Sequence, residues 1–221
     1  MTLYWLKPEV TREPHPSTAW AKLSWKTWKF TYWDREAKEE KELKVPEEFI
    51  VVAEWMWVQW FVDVWYWSNE IFSSTDEAIQ IRAQDTNKVK FEWAWKDIKD
   101  KVKAFWLPLW KHIHFVEPGS EEIKTLKIKG KAWVKWSDFL NDNRFAPWDF
   151  RIKIAKMEKE KNWAVTYFVP VFDKGSALSD EDRALQAKVA SVIWNWHDNN
   201  KIWLDEIADV EEPVDENELP F

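Results

Sequence analysis

Apolar and polar residues alternate in short runs along most of the chain, and this pattern predicts a mainly β body. Successive side chains of a strand point to opposite faces, so each run buries one face and exposes the other. We expect an OB-like barrel or a strongly curved antiparallel sheet. The strand-like runs, of which 48–54 is apolar and β-branched and 58–64 alternates only partly, occupy residues 27–33, 48–54, 58–64, 78–84, 87–93, 111–117, 122–130, 149–157 and 164–172.

Two segments have helical rather than alternating periodicity. Residues 96–105 place three apolar side chains at positions i, i+4 and i+7, which predicts a short helix inserted between strands. Ser179 precedes three acidic residues, a pattern typical of the first turn of a helix, and an apolar stripe continues through Ile193. We therefore expect one inserted helix and one C-terminal helix.

Changes in composition divide the chain into four parts. We expect a polar N-terminal arm over residues 1–24, an OB-like domain over 25–175, a C-terminal helix over 176–197 and a disordered acidic tail over 198–221. No run approaches the ~20 apolar residues of a membrane-spanning helix, and the first residues lack the pattern of a signal peptide. We therefore expect a cytoplasmic protein without a membrane partner.

Tryptophan and glycine depart from ordinary usage in opposite directions. The chain has 21 tryptophans and three glycines, whereas average usage would give about 15 glycines. Trp163 follows Asn162 and Trp148 follows Pro147, both at predicted turns that favour glycine. We hypothesise that most of the tryptophans stand at UGA codons, which some uncultivated bacterial lineages and their phages read as glycine. The alternative is a genuinely tryptophan-rich protein whose rings fill the core or stack on ligands.

The negative charge of the chain is concentrated at its C-terminal end. The net charge is −7, yet residues 205–221 contain eight acidic residues and no basic one. The rest of the chain is therefore nearly neutral. A nearly neutral body with local basic stripes is compatible with a nucleic-acid partner.

Basic side chains repeat on single faces of several predicted strands. Such stripes can follow the phosphates of a nucleic acid while alternating apolar residues fill the core, and a nearby aromatic ring can stack on a base. The ordinary alternative is a solvated sheet face that is rich in lysine. The candidate nucleic-acid-binding residues are Arg82, Lys88, Lys90, Phe91, Lys124, Lys127, Lys129, Arg151 and Lys153.

The chain ends in "DENELPF", an acidic run closed by leucine, proline and a terminal phenylalanine. This ending resembles the C-terminal tip of bacterial single-stranded DNA-binding proteins. The resemblance implies that a disordered acidic tether offers one ring and the chain-end carboxylate to an apolar, basic-rimmed pocket of a replication or repair protein. The alternative is an inert solubilising tail. The candidate partner-binding residues are Asp215, Glu216, Glu218, Leu219, Pro220 and Phe221.

Three segments of the body resemble a family of small phage and candidate-phylum bacterial proteins that have a strand-rich body. They are "SNE" at 68–70, the predicted helix at 96–105 and "YFVPVF" at 167–172. The family has glycines around its helix where this chain has Trp95 and Trp106. The resemblance implies a β-rich fold and agrees with the recoding hypothesis, but it implies no activity.

A nucleotide-binding motif would be present if certain tryptophan positions were glycine. With glycine at the tryptophan positions, residues 20–27 would match the phosphate-binding loop G-x-x-x-x-G-K-T, with Lys26 and Thr27 in the key places. That motif needs a buried strand before it and a helix after it. A polar, proline-containing segment precedes it here and a strand pattern follows, so we expect a lysine-bearing hairpin instead.

No catalytic constellation or metal site is expected. The chain has no cysteine, and His112 and His114 are two residues apart, which places them on one face of a strand. Asp138, Asp142 and Asp149 lie in a segment that looks loop-like, but their spacing is irregular for a metal site. We expect neither a cofactor nor a metal.

These observations favour a non-enzymatic protein that binds single-stranded DNA without sequence preference and recruits replication or repair proteins through its tail. RNA as the nucleic acid and a homo-oligomeric state both stay open. The alternative from another class is a structural protein of a virion, whose β body makes protein contacts. A weaker alternative is a nucleotide-binding enzyme that uses the phosphate-loop motif.

Overall fold

The computed structural model of the protein describes residues 14–24, 27, 29–61, 65–68, 78–83, 89–94, 109–144, 146–163 and 165–208. Of these, the backbone alone is described at 60–61, 65–67, 78–83, 89–94, 109, 162, 165 and 200–208. Strand residues outnumber helix residues in this part of the chain, so the predicted mainly β class with a minor helical part is confirmed. The predicted inserted helix, residues 96–105, lies outside the described residues.

The described elements follow one another as strands first and a long helix last. The strands are β1 (Ala19–Leu23), β2 (Phe30–Asp34), β3 (Glu39–Leu43), β4 (Ile50–Phe61), β5 (Trp65–Ser68), β6 (Ala78–Ala83), β7 (Val89–Ala94), β8 (Leu109–Val116), β9 (Lys124–Lys129), β10 (Phe150–Asn162) and β11 (Val165–Ala177). The helices are α1 (Lys131–Asp142), α2 (Ala146–Asp149) and α3 (Asp180–Ala208).

Most of the described strands belong to one sheet. Its order is β3-β2-β1-β9-β8-β4-β5-β6-β7, and β10 and β11 form a separate hairpin. The first six strands of this order form a mixed sheet, and β5 to β7 continue from the second half of β4. Within the described part of the chain, no pairing joins β3 to β7, so these strands form an open sheet rather than a closed barrel.

Strand β1 differs from the sequence-based expectation in two ways. It pairs antiparallel with β2 but parallel with β9, so the sheet is mixed rather than purely antiparallel. It also lies within residues 1–24, which were predicted to form an arm, and it buries Ala19 and Ala21. A parallel neighbour that is remote in sequence leaves no local signal, because the alternation pattern reports on one strand at a time.

One face of the main sheet packs against α1 and the β10–β11 hairpin. Trp136 and Phe139 of α1 lie in one buried cluster with Phe115 of β8 and Phe172 of β11. The indole nitrogen of Trp136 donates a hydrogen bond to the carboxylate of Glu54 at 2.7 Å. This face therefore forms the larger hydrophobic core.

The other face of the sheet packs against α3 along part of its length. The predicted stripe of Leu185, Val189 and Ile193 lies against Val52 and Trp55 of β4, as the helical periodicity indicated. The covered region lies near the start of β4. The same face continues past this contact toward β9 and β1.

Helix α3 begins with the predicted cap. The backbone N–H of Asp182 donates to Ser179 Oγ at 3.1 Å, and the backbone N–H of Ser179 donates to the Asp182 carboxylate at 3.1 Å. This reciprocal capping box satisfies donors that the first turn leaves unpaired. The helix ends at Ala208, beyond the predicted boundary at residue 197, so the first part of the predicted disordered tail is helical.

Helix α1 corrects the loop-like interpretation of the segment that contains Asp138 and Asp142. Ala132, Trp136 and Phe139 are buried at positions i, i+4 and i+7, which is the spacing of one helix face. The signal was therefore present in the sequence. The apolar stripe includes Trp136, and the recoding hypothesis treats the tryptophans as possible glycines, so the stripe was not recognised.

The β10–β11 hairpin turns at Trp163. Asn162 pairs with Val165, which leaves a two-residue loop. Trp163 has a φ of 55° and its side chain is 92% exposed. Two-residue hairpin loops of types I′ and II′ need a positive φ at their first position, where glycine is favoured and bulky residues are strained. The predicted turn is confirmed, although Trp163 takes the first loop position rather than the second.

Candidate nucleic-acid interface

Three basic side chains form a row across the sheet, farther along the face on which α3 packs. Lys22 of β1 is the cross-strand partner of Lys127 of β9, and Lys127 is the partner of His112 of β8. Residues directly opposite each other on neighbouring strands share a face and lie about 5 Å apart. The row therefore places two ammonium groups and an imidazole side by side.

Indole rings surround the middle member of this row. The rings nearest to Lys127 Nζ are those of Trp20 at 5.5 Å, Trp110 at 5.7 Å and Trp57 at 5.9 Å. A cation over an aromatic face is attracted by the negative π-cloud. The ammonium group is therefore held by rings rather than by an anion.

The next row on the same face repeats this chemistry. Lys129 is the cross-strand partner of Trp110, and its Nζ lies 4.5 Å from the centre of that ring. Lys127 and Lys129 both belong to the alternating stripe predicted on β9. We call this surface the lysine face; its members are Lys22, Lys127, Lys129, Trp20, Trp57 and Trp110.

A pocket of about 250 Å³ opens on the lysine face. Lys22 and Lys127 supply its positive charge, the indoles of Trp33 and Trp110 supply apolar walls, and Gln59 supplies a polar group. Glu40 also reaches the pocket, where it accepts a hydrogen bond from Thr31 Oγ1 at 2.8 Å. Aromatic walls next to cations and a side-chain amide suit a nucleobase and its phosphate.

Some lysines elsewhere on the molecule are paired with carboxylates, and others, such as Lys44, have no ion pair among the described residues. Lys22, Lys127 and Lys129 also have no carboxylate partner among the residues whose side chains are described. The lysine face differs from an ordinary solvated surface because its cations lie among indole rings. Ion pairs of 2.6 to 2.9 Å are formed by Lys29, Lys41, Lys111, Lys124, Lys135, Lys156 and Lys188.

The environment of the lysine face disfavours its positive charges in the unliganded protein. Burial, and next the charge of Lys22, lower the pKa of Lys127 below its ordinary value. The same two causes lower the pKa of Lys129. An anion placed on this face would relieve both effects, because it would replace lost hydration with a direct charge contact.

Two histidines lie on the same sheet face, as their spacing predicted. His114 is fully buried, and its Nδ1 lies 2.8 Å from Thr125 Oγ1. Thr125 in turn donates a hydrogen bond to Ser17 Oγ at 2.8 Å. Burial is the main cause that holds the pKa of His114 well below its ordinary value. His114 is therefore a neutral member of a buried polar network.

His112 has a different environment. It is 1% exposed, and neither ring nitrogen has a hydrogen-bond partner in the described part of the structure. Burial, followed by the charge of Lys127, holds its pKa well below the ordinary value. A dry imidazole without hydrogen bonds is unfavourable, since buried polar groups are nearly always paired.

Two of the predicted nucleic-acid-binding residues serve other contacts. Lys124 forms an ion pair of 2.6 Å with Glu117, and strand alternation places it opposite to Lys127. Arg151 donates two hydrogen bonds to Asp182, at 2.9 Å and 3.1 Å, and so joins β10 to α3. Lys124 was expected near the pair Lys127 and Lys129, and it lies on the same strand but on its other face.

The remaining predicted binding residues lie away from the lysine face or have side chains outside the described residues. Lys153 lies on β10, opposite Asp173 of β11 and away from the lysine face. The backbones of Arg82, Lys90 and Phe91 lie in β6 and β7 and their side chains lie outside the described residues, as does all of Lys88. The partner-binding set Asp215, Glu216, Glu218, Leu219, Pro220 and Phe221 also lies outside them.

Sequence reasoning gave no binding role to Lys22, to His112 or to any tryptophan. Lys22 lies in the segment predicted to be an arm, and only its pairing with β9 brings it to Lys127. His112 was placed on the correct strand face, but its position beside Lys127 depends on the β8–β9 register. The alternation of β1, which buries Ala19 and Ala21, was the available signal for Lys22.

The phosphate-loop motif has the wrong local structure for its usual role. Its first four residues belong to β1, and β2 follows as an antiparallel neighbour. The backbone N–H of Ser24 donates to the carbonyl of Lys29 at 2.9 Å, which closes the hairpin. The predicted hairpin is confirmed. Lys26 itself lies outside the described residues.

Comparison with protein-family models, curated proteins and solved structures found no match. In the described ranges, no group of three or more histidine or acidic side chains is arranged to hold a metal ion. None of the helices described here is both long and apolar enough to cross a membrane.

Proposed function

We propose that the lysine face binds single-stranded nucleic acid, with DNA as the first candidate, and that binding tolerates any sequence. The single observation that carries this proposal is the row of lysines set among aromatic rings on one sheet face, where no carboxylate among the described side chains pairs with them. Cations that track a backbone, next to rings on which bases stack, are the recurrent chemistry of sequence-tolerant single-strand binding.

The lysines act on phosphates rather than on base edges. An ammonium group is a compact point charge, and its contact with a phosphate releases counterions without reading sequence. No ion pair within the described residues must be broken before Lys127 meets a phosphate, so its partly desolvated charge is ready for an anion. Affinity should therefore decrease steeply as salt is added.

The rings act on bases if they are present in the natural protein. Stacking of one base on one aromatic ring contributes about 1–3 kcal/mol. Where the recoding hypothesis places glycine, the backbone of the sheet is instead open to close approach by the strand. The proposal rests on the lysines, which are the same in both cases.

The C-terminal tail completes the proposed function. Its negative charge weakens non-productive contacts of the lysine face, and its terminal phenylalanine is available to a second protein. The acidic residues of the tail and its terminal ring thus have separate roles. The folded part of the protein holds the single-stranded nucleic acid, and the tail recruits replication or repair proteins.

Binding of a labelled oligo-dT strand tests this proposal. In fluorescence anisotropy at low salt, the intact chain should bind oligo-dT more tightly than a duplex of equal length. The triple substitution Lys22→Ala, Lys127→Ala and Lys129→Ala should weaken this binding at least tenfold, since each lost phosphate contact removes a favourable charge interaction.

A matched triple substitution controls for net charge. Lys44, Lys159 and Lys161 are exposed and lie away from the lysine face, so their replacement by alanine should leave oligo-dT affinity nearly unchanged. Equal losses in the two triple variants would show that only overall charge matters. No binding of oligo-dT by the intact chain at low salt would reject the proposal and favour a structural, protein-binding role.

A further inference from the structure

Two unfavourable features of the molecule lie next to each other on the lysine face. His112 is buried with both ring nitrogens lacking a hydrogen-bond partner among the described residues. Its cross-strand neighbour Lys127 is partly desolvated and has no carboxylate partner there. Each feature is costly alone, and natural proteins rarely keep either without a ligand or a solvent path.

The same two indoles contact both groups. The rings of Trp20 and Trp57 each lie 5.2 Å from the His112 ring and meet it edge-on. They also lie 5.5 Å and 5.9 Å from Lys127 Nζ. Removal of these two rings should therefore expose more of the imidazole and of the ammonium group.

We propose that Lys22, Lys127 and His112 form a binding subsite for one phosphodiester group, in which the indoles of Trp20 and Trp57 cover His112 and leave Lys127 half-buried. This inference rests on the proposed function and on the hypothesis that glycine stands at positions 20 and 57 of the natural protein. Glycine at both positions removes the cover and leaves the row of three nitrogen-bearing side chains continuous across β1, β9 and β8.

The charged form of His112 makes this subsite dependent on pH. The groups whose charges act on His112 are Lys127, His114, His15 and Lys111, and all of them oppose its protonation. A bound phosphate supplies the missing negative charge and accepts a hydrogen bond from the imidazolium, so the uncovered subsite should take up a proton as it binds. Affinity should then rise as the pH falls below the ordinary range of histidine.

The double variant Trp20→Gly with Trp57→Gly in the full chain tests this inference. Its affinity for labelled oligo-dT should be about tenfold higher at pH 5.5 than at pH 8, as expected for one added charge-assisted hydrogen bond. Addition of His112→Asn should remove this pH dependence, because asparagine keeps a polar side chain but does not titrate. Circular dichroism establishes that the variants compared are folded.

A matched pair of glycine substitutions controls for the loss of indoles. Trp148 and Trp163 are 44% and 92% exposed and lie outside the lysine face, so glycine at both should give the same affinity at the two pH values. If the double variant does not fold, Trp57→Gly alone carries the test with the same expected direction.

Two results separate failure of the subsite from failure of the function. Equal affinity of the uncovered variant at pH 5.5 and pH 8, or an unchanged pH dependence after His112→Asn, would overturn the phosphate subsite and leave single-strand binding intact. Absence of oligo-dT binding by every variant at low salt would overturn the proposed function itself.

Discussion

The tryptophans of this chain occupy two opposite kinds of environment. Trp136 is fully buried, packs against Phe139 and Phe172, and donates a hydrogen bond to Glu54. Trp163 is almost fully exposed at a positive φ and makes a hairpin turn that ordinarily uses glycine. Position 163 is thus where glycine would suit the backbone best, and position 136 is where an indole suits its surroundings best.

Replacement of Trp163 by glycine should stabilise the protein. A residue with a Cβ in the left-handed region costs about 1–2 kcal/mol relative to glycine, and the exposed indole of Trp163 has little packing to lose. We expect the free energy of unfolding in urea to rise by about 1 kcal/mol.

Replacement of Trp136 by glycine is the matched contrast. It should lower the free energy of unfolding by about 3–5 kcal/mol, because a large buried side chain is removed and a cavity remains. Stabilisation at position 136, or none at position 163, would contradict the environments described for these two residues.

A pair of charged side chains links strand β10 to helix α3. Arg151 donates two hydrogen bonds to Asp182, which is also the capping residue of α3 and has a side chain that is only 5% exposed. Arg151→Ala should lower the free energy of unfolding by about 2 kcal/mol, since Asp182 would lose charged hydrogen bonds in a dry position.

Lys153→Ala on the same strand is the control for this substitution and should change stability by less than about 0.5 kcal/mol. Both variants should bind oligo-dT like the intact chain. A selective loss of oligo-dT affinity in the folded Arg151→Ala variant would show instead that Arg151 contacts the nucleic acid.

The buried histidines of β8 should make the fold sensitive to acid. Burial holds the pKa values of His112 and His114 well below 6.5 in the folded protein, whereas the unfolded chain protonates near 6.5. The unfolded state therefore binds more protons below pH 6.5, and stability is complete above that pH and decreases as the pH falls.

Urea unfolding at pH 7.5 and at pH 5 measures this effect. Each histidine that stays neutral in the fold contributes about 1.4 kcal/mol of lost stability per pH unit below 6.5. His112→Leu should make the difference between the two pH values smaller. An unchanged difference in that variant would mean that other groups cause the acid sensitivity.

Local elements were largely predictable from the sequence, but their long-range pairing was not. Alternation predicted strands near β8, β9, β10 and β11, and periodicity with a capping serine predicted α3. The pairing of β1 with β9 joins segments about a hundred residues apart, and no local pattern encodes it. The lysine face depends on that pairing, so Lys127 and Lys129 were the members that could be anticipated.

At the scale of the whole molecule, opposite charges are separated along the chain. The lysine face carries cations without carboxylate partners in the described part of the structure, whereas residues 205–221 carry eight acidic residues and no basic one. If the lysine face binds nucleic acid as proposed, a tail of this charge should compete weakly for it.

Deletion of residues 213–221 should therefore leave oligo-dT affinity unchanged or raise it. The substitution Phe221→Ala is the matched control, because it keeps the charge of the tail and removes only the terminal ring, and it should leave affinity unchanged. Anisotropy titrations of the three chains measure this comparison. A large loss of affinity on deletion would mean that the tail contacts the strand itself.

The salt dependence of oligo-dT binding measures how many phosphates the lysine face contacts. Each phosphate contact to a single strand contributes about 0.7 to the slope of log affinity against log salt concentration. Replacement of Lys22, Lys127 and Lys129 by alanine should therefore make this slope shallower by about 2, whereas the control at Lys44, Lys159 and Lys161 should keep the slope of the intact chain. An identical slope and affinity in both triple variants would contradict the assignment of the lysine face as the binding surface.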